Sequence, residues 1–297
     1  MVQQRPGVTG KPVRLANSPS LLAGREDLLA DLHTRLTGGD GPGPRTVALC
    51  GFGGAGKTSV ALAYAHRHLA EVGVAWQLAA EDPTVLTDGF GQLAAQLGAR
   101  DVVDTRDPVA SVHGVLAASP GEWLLIFDNA PDRASVEAFL PPAGPGRVLI
   151  TSQSALWSRG QALEVPVLDT EVAAGFLASR TGDTDRRAAW DLAGALGGLP
   201  LALEQAAAYV QASGDSLAGY LASFVQRRPE MLKLKRHERR WSSPRYGSGR
   251  HGAAAPARIP PGPWPCGAGR GTGRRRSPRR HRQATAAGPP GDPCREP

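Results

Sequence analysis

The sequence predicts an α/β fold, a parallel β-sheet flanked by helices, with a small helical bundle after it. Three observations predict this. An apolar, β-branched run, Thr46-Val47-Ala48-Leu49-Cys50, feeds the Gly-rich stretch Gly51-Phe52-Gly53-Gly54-Ala55-Gly56-Lys57-Thr58-Ser59 and then the helical pattern Val60-Ala61-Leu62-Ala63-Tyr64-Ala65. Trp123-Leu124-Leu125-Ile126-Phe127-Asp128 and Arg147-Val148-Leu149-Ile150-Thr151-Ser152 carry uninterrupted apolar stretches with polar carboxyl ends, as central parallel strands do. From Asp169 onward the apolar period becomes helical.

Taken in order, residues 1–19 are rich in Pro, Gly and Gln without periodicity and read as a flexible lead-in. Leu28, Leu29, Leu32 and Leu36 share one face of a helix after Gly24-Arg25-Glu26, and the Gly/Pro run 38–44 ends it. Val74–Leu78 is a second strand. Leu86, Phe90, Leu93 and Leu97 mark a helix closed by Gly98, and Val109–Ala117 marks another, on which His113 reads as a surface or packing residue. The Trp123–Asp128 strand is expected beside the loop strand, and Arg147–Ser152 is another central strand. Leu163–Leu168 reads as a last, edge-like strand, because Pro166 cannot donate to a ladder. Asp169 or Thr170 can cap a helix through Leu177, and Thr184 or Asp185 one through Leu196. Gly197-Gly198 stops the latter. Pro200 suits the first turn of the next helix, to about Ala212, and Leu217, Tyr220, Leu221, Phe224 and Val225 form the stripe of a final amphipathic helix. The expected divisions are 1–19, 20–168 (α/β), 169–232 (helical) and 233–297.

The net charge of +7 conceals two halves of opposite sign. Residues 233–297 hold 16 Lys and Arg against 3 Asp and Glu, a net of +13, which leaves residues 1–232 at −6. The three cysteines, Cys50, Cys266 and Cys294, have neither metal-site nor disulfide-framework spacing, and Cys50 reads as a small buried thiol. No apolar stretch of signal-peptide or membrane-span length occurs, so a soluble cytoplasmic protein without membrane attachment is expected. No Ser/His/Asp or Cys/His nucleophile constellation stands out.

The chemistry lies in Gly51-x4-Gly56-Lys57-Thr58, a complete phosphate-binding loop between a strand and a helix. Its glycines allow positive φ and close approach. The amides of Gly51, Gly53, Gly54, Ala55 and Gly56 and the helix start at Lys57, Thr58 and Ser59 then face a phosphate chain. Lys57 can reach the terminal phosphates as a point charge, and the Thr58 hydroxyl can ligate Mg²⁺. Asp128, ending an apolar strand, can hold the same ion directly or through water. Thr151 and Ser152, at another strand's carboxyl end, can sense the terminal phosphate or merely cap the next turn. No Asn-Lys-x-Asp segment occurs, which argues against a guanine nucleotide.

Together, Gly24-Arg25-Glu26, Gly51–Thr58, Leu124–Asn129, Val148–Ser152 and Gly197-Gly198-Leu199-Pro200-Leu201-Ala202-Leu203 resemble the nucleotide-binding module of the STAND signalling NTPases. This is the NB-ARC type shared by plant disease-resistance proteins, apoptotic protease-activating factors and many actinobacterial regulators. Order and spacing agree over residues 20–228. The resemblance implies a P-loop α/β domain and a four-helix lid closing on ADP or ATP with Mg²⁺. It implies that Pro200 lies against the adenine and ribose and that the backbone around Gly24 and Arg25 borders the base. It further implies a switch in which ADP holds a closed state and ATP permits self-association. Many relatives carry a second acid where this chain has Asn129, which cannot act as a general base, and an Arg where it has Gln153. Lys57 and Asp128 would serve any turnover, and slow or no ATP hydrolysis is expected; an active ATPase is the alternative.

After Leu234 the family pattern ends, where a winged helix and sensor repeats would follow. Residues 233–297 contain 11 Pro and 10 Gly and almost no aliphatic side chains, so they cannot bury a core and read as a disordered basic tail. One reading is an arm that anchors a transcriptional regulator to nucleic acid through Arg274–Arg276 and the basic run 279–282. The preferred reading is the product of a GC-rich gene read out of frame, its sensor domain lost near residue 235. With only residues 1–19 ahead of the module, no effector domain is expected there.

Overall fold

The computed structural model describes residues 11–19, 22–38, 43–98, 107–158 and 160–227. The expectations for residues 1–10 and for the basic segment 233–297, with its arginine clusters, lie outside them. The elements are β1 (Val13–Arg14), α1 (Glu26–Thr37), β2 (Arg45–Cys50), α2 (Lys57–Arg67), β3 (Val74–Ala79), α3 (Pro83–Gln96), α4 (Pro108–Ala117), β4 (Trp123–Ala130), β5 (Gly146–Ser152), β6 (Ala162–Glu164), α5 (Thr170–Thr181), α6 (Arg186–Ala195) and α7 (Pro200–Ser213). Residues 217–227 form α8.

The six strands make one parallel sheet in the order β1-β3-β4-β5-β2-β6. Its central strands are buried on both faces, and the period of two divides their side chains. Leu125, Phe127, Val148 and Ile150 pack with Phe90 and Leu93 of α3 and Val112 and Leu116 of α4. Leu49, Leu124, Ile126 and Leu149 pack on the other face with Leu32 and Leu36 of α1 and Val60 and Tyr64 of α2. Asp82, Asp107 and Asp185 cap α3, α4 and α6 by accepting main-chain N–H bonds, each worth about 1 kcal/mol. His113 is a packing residue, its Nε2 3.0 Å from Phe139 O and its ring edge-on to Phe90.

Three expectations are corrected. The Asp128 strand does not lie beside the loop strand, because β5 stands between them and pairs with both. All seven residues of β5 are buried, and such a strand takes the central place. The lead-in contains an edge strand, β1, too short to show a period. It is held by Ala75 N–H donating to Pro12 O and Ala16 N–H donating to Gln77 Oε1. The last strand stops at Glu164 rather than Leu168. Val165 N–H still donates to Cys50 O at 2.7 Å, and then Pro166, without an N–H, takes the chain off the sheet.

The helices α5–α8 enclose a core of their own around Leu177, Leu192, Leu203, Val210 and Leu217. Asp169 precedes α5 without a side-chain cap bond. The helical part is tied back by Leu168 N–H donating to Gly198 O at 2.9 Å and Leu201 N–H donating to Gly54 O at 3.2 Å. Among the described residues, no helix is long and apolar enough to cross a membrane.

Candidate functional site

β2 ends at Cys50 and α2 starts at Lys57, so Gly51–Gly56 must turn the chain at the carboxyl end of the sheet. Gly54, at φ +80°, shows why glycine is required. A Cβ there would sit 2.9 Å from Leu201 Cβ of α7. The α2 start is thus packed under the α7 start, with Pro200 at the first turn of α7.

Lys57 is buried, and its Nζ donates to Gly51 O at 3.0 Å and Phe52 O at 2.9 Å. Burial pushes its pKa below the ordinary lysine value, against the opposing pull of Cys50 and Asp128. Asp128 is the centre of a hydroxyl cluster. Its Oδ1 accepts from Thr58 Oγ1 at 2.7 Å and from Thr151 Oγ1 at 2.6 Å, and its Oδ2 accepts from Gln77 Nε2 at 3.1 Å. The intervening β5 therefore supplies the hydroxyl that joins the two halves of the site. Ser152, one residue on, points elsewhere; its Oγ accepts from Ser154 N–H, the turn-capping role.

These groups open on a cavity of about 680 Å³. Of the residues the sequence singled out, Gly53, Gly54, Gly56, Lys57, Thr58, Ser59, Asp128, Thr151 and Pro200 line it, together with Asn129 and Gln153. Gly51, Ala55, Gly24 and Arg25 do not. Gly51 turns its carbonyl to Lys57, and Ala55 is buried with its carbonyl on Arg25. Arg25 is 5% exposed and donates through Nη2 to Ala55 O at 3.2 Å and to Pro166 O at 2.6 Å. Burial lowers its pKa, partly offset by Asp169. It buttresses the loop from behind and joins it to the segment leaving β6.

Sequence reading missed Gln77, Glu81, Phe176 and Glu204. Gln77 is the one polar side chain within an otherwise apolar β3, which is a usable signal. Glu81 just beyond that strand lines the cavity, as do Phe176 and Glu204 from the helical part. No local pattern marks the latter two. Oxygen donors 2.7 Å apart on Thr58 and Asp128 suit a hard divalent cation. No group of three or more His, Cys, Asp or Glu that could hold a metal occurs among the described residues.

No model of a known protein family matches the chain. The regulatory protein AfsR of Streptomyces griseus is 31% identical over 232 residues, covering 72% of this chain and 23% of that protein. AfsR of Streptomyces coelicolor is 28% identical over 233 residues, covering 72% and 23%. The chain therefore spans 23% of the length of the curated relatives it matches. Similar solved structures include a STAND protein with a tetratricopeptide repeat sensor from Pyrococcus horikoshii, 17% identical with a TM-score of 0.45, covering 65% of this chain and 31% of that one. The ORC2 protein of Aeropyrum pernix, in ADPNP–ADP complexes, is 15% identical with a TM-score of 0.46, covering 71% and 70%. The loop between β2 and α2, Asp128 across β5, the Gly-Leu-Pro segment seated on the loop and the likeness to AfsR make this a P-loop NTPase module of the STAND class, a nucleotide-binding fold.

Proposed function

We propose that this module binds ADP or ATP with Mg²⁺ and acts as a regulatory switch, with hydrolysis slow. The observation that carries the reading is Asp128 Oδ1 holding the hydroxyls of Thr58 and Thr151 beneath a loop whose far wall is the start of α7. A phosphate chain on the loop would meet the Gly53–Ser59 amides and the ammonium of Lys57, whose hydrogen bonds among the described residues go to the neutral carbonyls of Gly51 and Phe52. When bound, Mg²⁺ would be held by Thr58 and Asp128 and would neutralise phosphate charge. Pro200 and Leu201 would cover the rest of the nucleotide, so the helical part, 169–232, would close as a lid over the α/β part, 20–168.

A switch needs two arrangements that the two nucleotides favour differently. Leu201 N–H on Gly54 O and Leu168 N–H on Gly198 O are the bonds that such a change would break or keep. The likeness to AfsR, a regulatory protein, supports a regulatory role; a cytoplasmic location and ATP-dependent self-association as the output complete the proposal. Titration of the full chain with fluorescent ADP and ATP, with and without Mg²⁺, tests the reading. Micromolar or tighter binding of both, weakened when Mg²⁺ is chelated, is expected. Equal binding by wild type and Lys57→Ala would remove the site from the loop.

A further inference from the structure

The carboxyl end of β3 brings a second carboxylate to the cavity. β3 pairs with β4 up to Ala79 opposite Asp128, and the ladder runs one step further, with Ala80 N–H donating to Asp128 O at 2.7 Å. Glu81 is the next residue and lines the same cavity as Lys57, Thr58 and Asp128. Its Oε2 accepts from Asn129 Nδ2 at 3.2 Å.

Asn129 reaches Glu81 because of its own backbone. It sits at φ +66°, the one non-glycine residue with positive φ among the described residues. There the β4–β5 pairing slips from Phe127–Ile150 to Ala130–Ser152. Such a bulge re-aims side chains, and its strain persists only where neighbours fix it. The fixing bond is Asn129 N–H donating to Thr151 Oγ1 at 2.8 Å, while Thr151 Oγ1 itself donates to Asp128. Thr151 therefore holds Asn129, and Asn129 holds Glu81.

The carboxylates at the cavity are not equivalent. Asp128 accepts from Thr58, Thr151 and Gln77 and is the carboxylate assigned above to Mg²⁺, and Glu204 is paired with Arg180. Glu81 is exposed and held by a neutral amide, so a lone pair remains for water. The geometry points to Glu81 as the general base of a slow ATP hydrolysis at this site, with Asn129 as its positioning residue. The oxygen of a water molecule bonds to the γ-phosphorus as the bond from that phosphorus to the β,γ-bridging oxygen breaks. ADP leaves with that electron pair, and the water proton passes to the Glu81 carboxylate. The base thus comes from β3, and the amide at Asn129 orients it instead of replacing it.

This inference rests on the adenine-nucleotide reading, and the test separates the two. The full chain is loaded with fluorescent ATP and Mg²⁺, affinity is measured, and phosphate release is followed in a single turnover. Glu81→Gln is expected to bind ATP within about threefold of wild type and to release phosphate at least tenfold more slowly, the low end of general-base effects. Glu81→Asp, with the carboxylate drawn back, falls between. Asn129→Gly, which keeps the left-handed backbone and removes only the amide, lowers the turnover rate and leaves affinity unchanged. Wild-type release by Glu81→Gln would overturn the assignment. So would a wild-type complex that holds ATP and releases no phosphate, or a loss of ATP binding in both Glu81 variants. Failure of the wild type to bind ATP at all would overturn the nucleotide reading first.

Discussion

The two ends of the sheet each bury a cation, and they treat it in opposite ways. At the carboxyl ends of the strands, Lys57 has two backbone carbonyls for partners, and burial depresses its pKa. At the amino ends, Arg147 is 7% exposed and meets Glu71 at 2.9 Å, Glu122, and the Tyr64 hydroxyl at 3.2 Å. Burial opposes its charge too, but the bonds to Glu71, Tyr64 and Glu122 outweigh it, and its pKa rises. A guanidinium between two carboxylates is neutralised within the fold. An ammonium among carbonyls keeps charge to offer an anion. The amino end is built to hold, and the carboxyl end to bind.

The largest expected effect tests the holding end. A Cβ on Gly146, the first residue of β5, would lie 2.1 Å from the ring of fully buried Trp123. That indole is also fixed by its N–H donating to Leu116 O at 3.0 Å. Gly146→Ala should cost about 3 kcal/mol or more and lower the melting temperature by roughly 6–12 °C. Nucleotide affinity measured well below melting should not change. A melting temperature equal to wild type would show that the ring can move aside.

Lys57→Ala is the counterpart at the binding end. ADP and ATP affinity should fall about a hundredfold, close to 3 kcal/mol. Unfolding without nucleotide should come no earlier than in wild type, since the buried ammonium is a cost there. A variant that melts much earlier and binds normally would assign Lys57 to the holding class.

The binding end was also the more legible in the sequence. Its main parts occupy contiguous stretches with required residue types, Gly51–Thr58 and the apolar run into Asp128, so position in the chain nearly specifies position in space. The order of strands was not local information. Nothing in Trp123–Asp128 says that β5 will stand between it and the loop; pairing on both sides of β5 decides that. Arg25 was legible only through the family resemblance, and the place of its side chain behind the loop was not, because that depends on Pro166, 141 residues away. The Arg147 cluster left no local trace. Glu71 and Glu122 come from two connections and Tyr64 from α2, and they meet only when the sheet has formed.

Arg147→Met removes the charge and keeps much of the apolar stem. Glu71 and Glu122 are 45% and 47% exposed, so both regain water when the guanidinium goes. The cost should therefore fall below that of a fully buried pair, about 2 kcal/mol, with nucleotide affinity unchanged. Chemical denaturation with and without ADP measures both quantities. A fall in affinity matching the fall in stability would mean that the two ends are coupled through β5.

The smallest effect is a pH dependence, and its sign follows from Glu71. The hydrogen bond with His68 Nδ1, at 2.7 Å, and then that from Arg147 hold this carboxylate below its ordinary value of 4.5. A depressed pKa in the folded state means stability that is present above the unfolded value and lost as pH falls through the folded one. The window therefore lies below pH 4.5. Because Glu71 is half exposed, water screens the interaction, and the contribution should stay under about 1 kcal/mol. Glu71→Gln should be slightly less stable than wild type at about pH 6 and should converge with it as the pH falls below 4.5 and the wild-type carboxylate takes up its proton. Parallel stability curves across that interval would place the acid sensitivity elsewhere, and Arg147 would then be held chiefly by Glu122 and Tyr64.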